Sequence, residues 1–112
     1  MVDKQYKVII SDPAFSRYSS TILPYLKKFF SSKRALEIQK AIDEVVKSLQ
    51  QLPKRGSKEP YLSDRPKDYR FILHKESRYF LIKIIYFIDE LNSTVFVTDF
   101  FPTSMDPDKI IG

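Results

Sequence analysis

Apolar residues change their spacing along this chain, and each change predicts a change of element. A short β-branched run from Tyr6 to Ser11, bounded by Asp12-Pro13, predicts a first strand. Asp12 is the expected N-cap of a following helix, with Pro13 at the first helical position, where a missing N–H costs nothing. Phe15, Tyr18, Ile22, Leu26, Phe29 and Phe30 then recur at helical intervals. Pro24 lies inside that stripe and predicts a kink or break, so the first helix is expected in two pieces. A second helix should start at a Ser31 or Ser32 cap and carry Ala35, Ile38, Ile42, Val45, Leu49 and Leu52 on one face. Its other face, Lys33, Glu37, Lys40, Glu44 and Lys47, alternates in sign and predicts a solvated surface rather than a nucleic-acid site.

Leu52-Pro53 ends the helical pattern, and residues 54–68 form a Pro- and charge-rich connection. Beyond it the period shortens to that of strands: Tyr69 to Lys75, a longer run from Arg78 to Ile88, and Ser93 to Phe101. The breaks at Glu76-Ser77 and Asp89–Asn92 have the length of hairpin loops. The expected fold class is α+β in a single domain spanning residues 1–112. It comprises a short N-terminal strand, a helical hairpin and a three-stranded antiparallel meander, with the helices packed on one face of the sheet.

The long strand constrains the packing most. Phe80, Ile82, Ile84, Tyr86 and Ile88 share one face, which should meet the helices. Tyr79, Leu81, Lys83, Ile85 and Phe87 share the other. That face is apolar except for Lys83, so it needs a cover, either the domain's own C-terminus or a partner. These five are the candidate partner-binding residues. A lysine in mid-strand also needs a counter-charge if it is to be buried.

Composition narrows the function classes. The 112 residues include no Cys, which excludes disulfides and thiolate metal sites. There is no Gly-rich phosphate loop and no His, Asp and Glu cluster at ligand spacing, so neither cofactor nor metal is expected, nor a small-molecule substrate. No run approaches a membrane span, and the N-terminal stretch lacks the apolar core of a secretory signal, so the chain is expected to be cytoplasmic. Net charge is +5, unevenly placed: residues 1–60 hold twelve Lys and Arg against six Asp and Glu, whereas residues 61–112 hold seven against eight. The first half could therefore approach nucleic acid, the ribosome or an acidic protein, or could simply be a solvated helix surface.

The order of these pieces resembles the RelE/ParE superfamily of type II toxins over nearly the whole chain. The features that carry the likeness are the turn Leu52-Pro53-Lys54-Arg55-Gly56, the pair Tyr69-Arg70 before a strand, the run Lys83-Ile84-Ile85-Tyr86-Phe87-Ile88-Asp89, and Asp106-Pro107 after the last strand. The resemblance implies a growth-arresting toxin neutralised by a cognate antitoxin. In the RNA-cleaving branch, an Arg of the long strand and basic or His residues after the last strand contact the scissile phosphate. Here the long-strand position is Lys83, and Phe101, Pro102, Thr103 and Ser104 follow without His or Arg.

Arg70, Lys83 and His74 are the residues that could serve RNA cleavage, two to stabilise charge and one as an imidazole. His74 on a strand is more often a satisfied surface residue than a catalyst, and Tyr69, Tyr79 and Tyr86 sit where core aromatics belong. The long helical hairpin and the Ser-Met-Asp-Pro ending look more like the ParE branch, which acts on DNA gyrase by binding. Three functions stand open at this point: a gyrase-binding toxin, a ribosome-dependent mRNA endonuclease, and a non-toxic relative serving as a binding module.

Overall fold

The computed structural model describes residues 5–112. Met1 to Lys4, part of the stretch read above for a secretory signal, lie outside the described residues. Strand β1 (Lys7–Ile10) leads into a helical arm made of α1 (Asp12–Arg17), a π-helical turn (Tyr18–Ile22) and α2 (Leu23–Phe29). Helix α3 (Ser32–Ser48) returns, and a short 3-10 turn, Pro53–Arg55, precedes β2 (Ser57–Lys58). A second 3-10 turn, Pro60–Leu62, leads to β3 (Tyr69–Ser77), β4 (Phe80–Asp89) and β5 (Thr94–Pro102), and a third, Pro107–Lys109, lies near the C-terminus.

The α+β class and the helices on one face agree with the pattern, but the strand count does not. The sheet has five strands in the order β1-β5-β4-β3-β2. The expected meander is its antiparallel centre. β1 joins as a parallel edge, Val8 opposite Val95 and Ile9 opposite Phe96. β2 is two residues inside the connection, paired with Phe71 and Arg70, too short to leave an alternating signature.

The helical arm corrects one expectation and refines another. Ser11, not Asp12, is the N-cap: its hydroxyl accepts from the Ala14 N–H, and Asp12 is the first helical residue, favourably placed against the dipole. Pro24 stands in the first turn of α2, and the first helix is in two α-helical pieces as expected, joined without a gap. The chain widens instead, the Leu23 N–H reaching the Tyr18 carbonyl across a π turn. The widening matters because Ala14, Tyr18, Ile22 and Leu26 are spaced by four. In an α-helix that spacing drifts around the axis, whereas one extra residue per turn returns it to one face. Ala14, Ile22 and Leu26 are buried as a result, and Phe15 and Phe29 turn outward.

Helix α3 begins at the Ser31 cap, whose hydroxyl accepts from the Arg34 N–H, and buries Ala35, Ile38, Ile42 and Val46. Val46 takes the fully buried place expected of Val45, and Leu52 lies outside the helix, exposed. Lys33, Glu37, Lys40, Glu44 and Lys47 are all exposed, as their alternating signs predict.

The main core lies between helices and sheet. Phe80, Ile82, Ile84 and Tyr86 of β4 pack there with Val95, Val97 and Phe100 of β5. Burial of a side chain of this size stabilises by about 1.5–3 kcal/mol, which makes this face the main source of cohesion. Tyr86 is fully buried because its hydroxyl has two partners: it donates to the Pro53 carbonyl and accepts from the Gly56 N–H. A Cβ on Gly56 would run into that hydroxyl and come within 2.7 Å of the Phe71 carbonyl, so the turn ending the helical hairpin needs Gly there for close approach.

A second core lies under the domain's own C-terminal segment, one of the two covers expected for the odd face. On the opposite face Ile85 and Phe101 pack with Leu62 of the Pro60–Leu62 turn and Ile110 of the C-terminal segment, joined by Tyr69, Phe71 and Met105. The domain's own chain therefore covers the middle of the face that carries Lys83 and Ile85. No helix among the described residues is long and apolar enough to cross a membrane.

Candidate functional site

The candidate residues divide between the two faces of the sheet because side chains alternate along a strand. Arg70 and His74 stand opposite Tyr86 and Ile82, on the helix side, whereas Lys83 stands opposite Leu73 and Phe101 on the other. Arg70 and His74 are four residues apart on one strand, about 13 Å along it. The three are not brought together around a common point.

Each of the three also has partners within the domain. The Arg70 guanidinium donates to the Lys54 and Gly56 carbonyls and to the Asp68 carboxylate, 3.0 Å away, tying the Leu-Pro-x-x-Gly turn to β3. Its Nε is buried without a partner. Lys83 donates to both oxygens of Glu59 at 3.1 and 3.0 Å, and its ammonium lies 4.5 Å from the Phe71 ring centroid and 5.5 Å from that of Tyr61. Glu59 is only 2% exposed. That carboxylate is the counter-charge the mid-strand lysine requires. The sequence signalled the need, but could not choose Glu59 among fourteen acidic residues. Nothing local distinguishes it in a Pro-rich connection.

His74 Nε2 is 3.0 Å from a Glu76 oxygen, and the other Glu76 oxygen is taken by Arg34. Burial lowers the His74 pKa below the ordinary 6.5. The unfolded chain then binds a proton at higher pH than the folded one. Stability contributed here is fully present above 6.5 and falls as the pH drops from 6.5 towards the lowered folded value. Urea midpoints measured on both sides of 6.5 should show that slope, and His74→Asn should flatten it. Tyr86 is held as a phenol, its pKa raised by burial, and Tyr18 is pushed up to about 12, by burial first and Asp43 second. Neither ionises near neutrality.

The five residues of the odd face differ widely in access. Ile85 is fully buried under the C-terminal segment, and Lys83 is locked on Glu59. Phe87 is half-buried between Phe96, stacked at 5.1 Å, and Tyr69, edge-on at 5.4 Å, with Lys67 Nζ 4.2 Å above it. Tyr79 is 79% exposed at the β3–β4 turn, and Leu81 is half-buried beside it. The open part of this face is thus its Tyr79 end.

One buried charge pair escaped sequence reasoning. Arg17 at the end of α1 donates to both Asp99 oxygens, at 3.0 and 3.4 Å, and to the Lys109 carbonyl, while Asp99 accepts from the Ile111 N–H at 3.0 Å. The available signal was Asp99 itself, a carboxylate in an otherwise apolar strand. Its partner lay 82 residues away. Among the described residues no cluster of His, Cys, Asp and Glu could hold a metal ion. Comparison of this chain with protein-family models, with curated proteins and with solved structures finds no match.

Proposed function

We propose that this chain is a toxin of the RelE/ParE type that acts in the cytoplasm by binding, with DNA gyrase as its target and a cognate antitoxin as its neutralising partner. One observation favours binding over RNA cleavage: Lys83, the only cation of the triplet on its face, is neutralised by the buried Glu59 carboxylate. A phosphorane needs a cation and a proton donor aimed at one point. Here the imidazole and the second cation lie on the opposite face, each engaged by its own partners. Binding makes no such demand.

The test is expression of the chain alone in bacteria. Growth should stop, and the purified protein should inhibit gyrase supercoiling without producing codon-spaced cuts in mRNA on translating ribosomes. Such cuts would overturn the binding reading in favour of the endonuclease. Unimpeded growth at full expression would reduce the chain to a non-toxic binding module.

A further inference from the structure

An apolar cleft of about 100 Å3 opens at the Tyr79 end of the sheet, between the π turn and the start of β4. Ile22, Tyr25, Tyr79, Leu81, Pro102 and Met105 form most of its walls, and Thr21, Ser104 and the two tyrosines carry its hydroxyls. The cleft continues into exposed aromatic surface. Tyr25 stacks on Phe80 at 4.7 Å and packs on Phe29 at 4.6 Å, and Phe29 is 59% exposed.

The rim is cationic. Arg78 lies 5.8 Å from the Tyr79 ring centroid and Lys28 lies 5.4 Å from that of Phe29. Among the described residues neither forms a salt bridge. Glu76, two residues before Arg78, is held by Arg34 and His74.

We infer that this cleft is the docking site for an acidic segment of a partner protein, which seats one apolar side chain between Tyr25, Tyr79 and Leu81 while its carboxylates face Arg78 and Lys28. Size and polarity select this occupant. The volume lies well below the roughly 300 Å3 at which small-molecule sites begin, and suits one anchoring side chain. Single-stranded nucleic acid could stack on Tyr79, but it needs cations tracking a line of phosphates and polar groups for base edges. This cleft offers two cations beside aromatic rings rather than a row of them. Arg78 lies over Tyr79, which would flank the anchor, and Lys28 lies over Phe29 beside Tyr25, an arrangement that steers an acidic chain and then excludes water from its apolar residue.

The inference rests on reading the chain as a protein-binding module, but its test does not require growth arrest. The full chain is titrated against a short fluorescein-labelled peptide of Asp and Glu with one central Leu, followed by fluorescence anisotropy and by amide shifts. Binding should weaken with added salt, shift the amides of Tyr25, Tyr79, Leu81 and Met105, and be lost when the Leu is replaced by Ser. Arg78→Glu should weaken it by roughly three- to tenfold, and so should Tyr79→Ser. Both residues are exposed in a turn, so the fold should survive, with urea midpoints as the check.

Equal binding of a lysine-containing version of the peptide would overturn the proposal, as would insensitivity to both variants. Tighter binding of oligo-dT would overturn it in favour of nucleic acid, and self-association of the chain abolished by Tyr79→Ser would assign the cleft to a second copy. Loss of peptide binding with growth arrest intact would sink this site alone. Peptide binding without arrest would sink only the toxin reading.

Discussion

Asp99→Ala is expected to cost the fold about 3–5 kcal/mol. Asp99 is fully buried and accepts from two nitrogens of Arg17 and from the Ile111 N–H. Truncation leaves a guanidinium whose side chain is 14% exposed without its carboxylate, and a backbone N–H without its acceptor. Leaving a buried charge uncompensated costs more than the pair contributes, so the variant suffers where a clean removal of both partners would not. Against a typical total of about 5–15 kcal/mol this is a large fraction.

The effect should be local before it is global. Arg17 and Asp99 together hold the Lys109 carbonyl and the Ile111 N–H, and with them the segment that covers Ile85 and Phe101. Urea denaturation should show a lowered midpoint for Asp99→Ala. Limited proteolysis should cut between residues 103 and 112 before the rest of the chain. The double variant Arg17→Met/Asp99→Leu should recover most of the loss. An unfolding free energy within about 1 kcal/mol of the parent would refute the assignment of this pair as the clamp of the C-terminal segment.

The second large effect concerns Lys83 and Glu59, and here the two single substitutions should differ. Lys83→Met strands a fully buried carboxylate, whose one remaining described partner is the Tyr61 N–H at 3.2 Å, and should cost about 3–5 kcal/mol. Glu59→Ala should cost less. Lys83 keeps 17% side-chain exposure and can redirect its ammonium to water along an aliphatic stem. The double variant Glu59→Leu/Lys83→Met removes both charges from an aromatic surround and should lie near the parent, giving a coupling of about 1–3 kcal/mol in a double-mutant cycle.

That cycle bears on function as well as stability. The double variant keeps the fold without a cation at the long-strand position. If the chain arrests growth by binding, arrest should persist in the double variant. If Lys83 stabilises a phosphorane, arrest should vanish while the urea midpoint stays put. Coincident loss of stability and arrest in Lys83→Met alone would carry no such meaning, which is why the stability-matched double is the informative variant.

The chain's own sequence determined the class of fold and the sorting of the long strand. Phe80, Ile82, Ile84 and Tyr86 face the helices because strand periodicity gathers them on the one face of the strand without a charge. It determined the start of the second helix through the Ser31 cap, and it required a counter-charge for Lys83. These are local or one-dimensional properties, set by spacing and by what a residue type tolerates in apolar surroundings.

Tertiary structure decided what depends on partners remote in sequence. A bulge at Thr98, where β5 carries one residue more than β4 between Val97 and Asp99, reverses the alternation. Without it Asp99 and Phe101 would share the face of Val95 and Val97. With it they turn to the opposite face, Phe100 enters the helix-side core, and Asp99 meets Arg17. The parallel docking of β1, the choice of Glu59 for Lys83 and the folding of the C-terminal segment over Ile85 are decisions of the same kind. Each satisfies a requirement written in the sequence with a group that only the closed chain brings within reach. The apolar odd face that asked for a cover is covered in the middle by the domain itself and left open at Tyr79, where the cationic cleft lies.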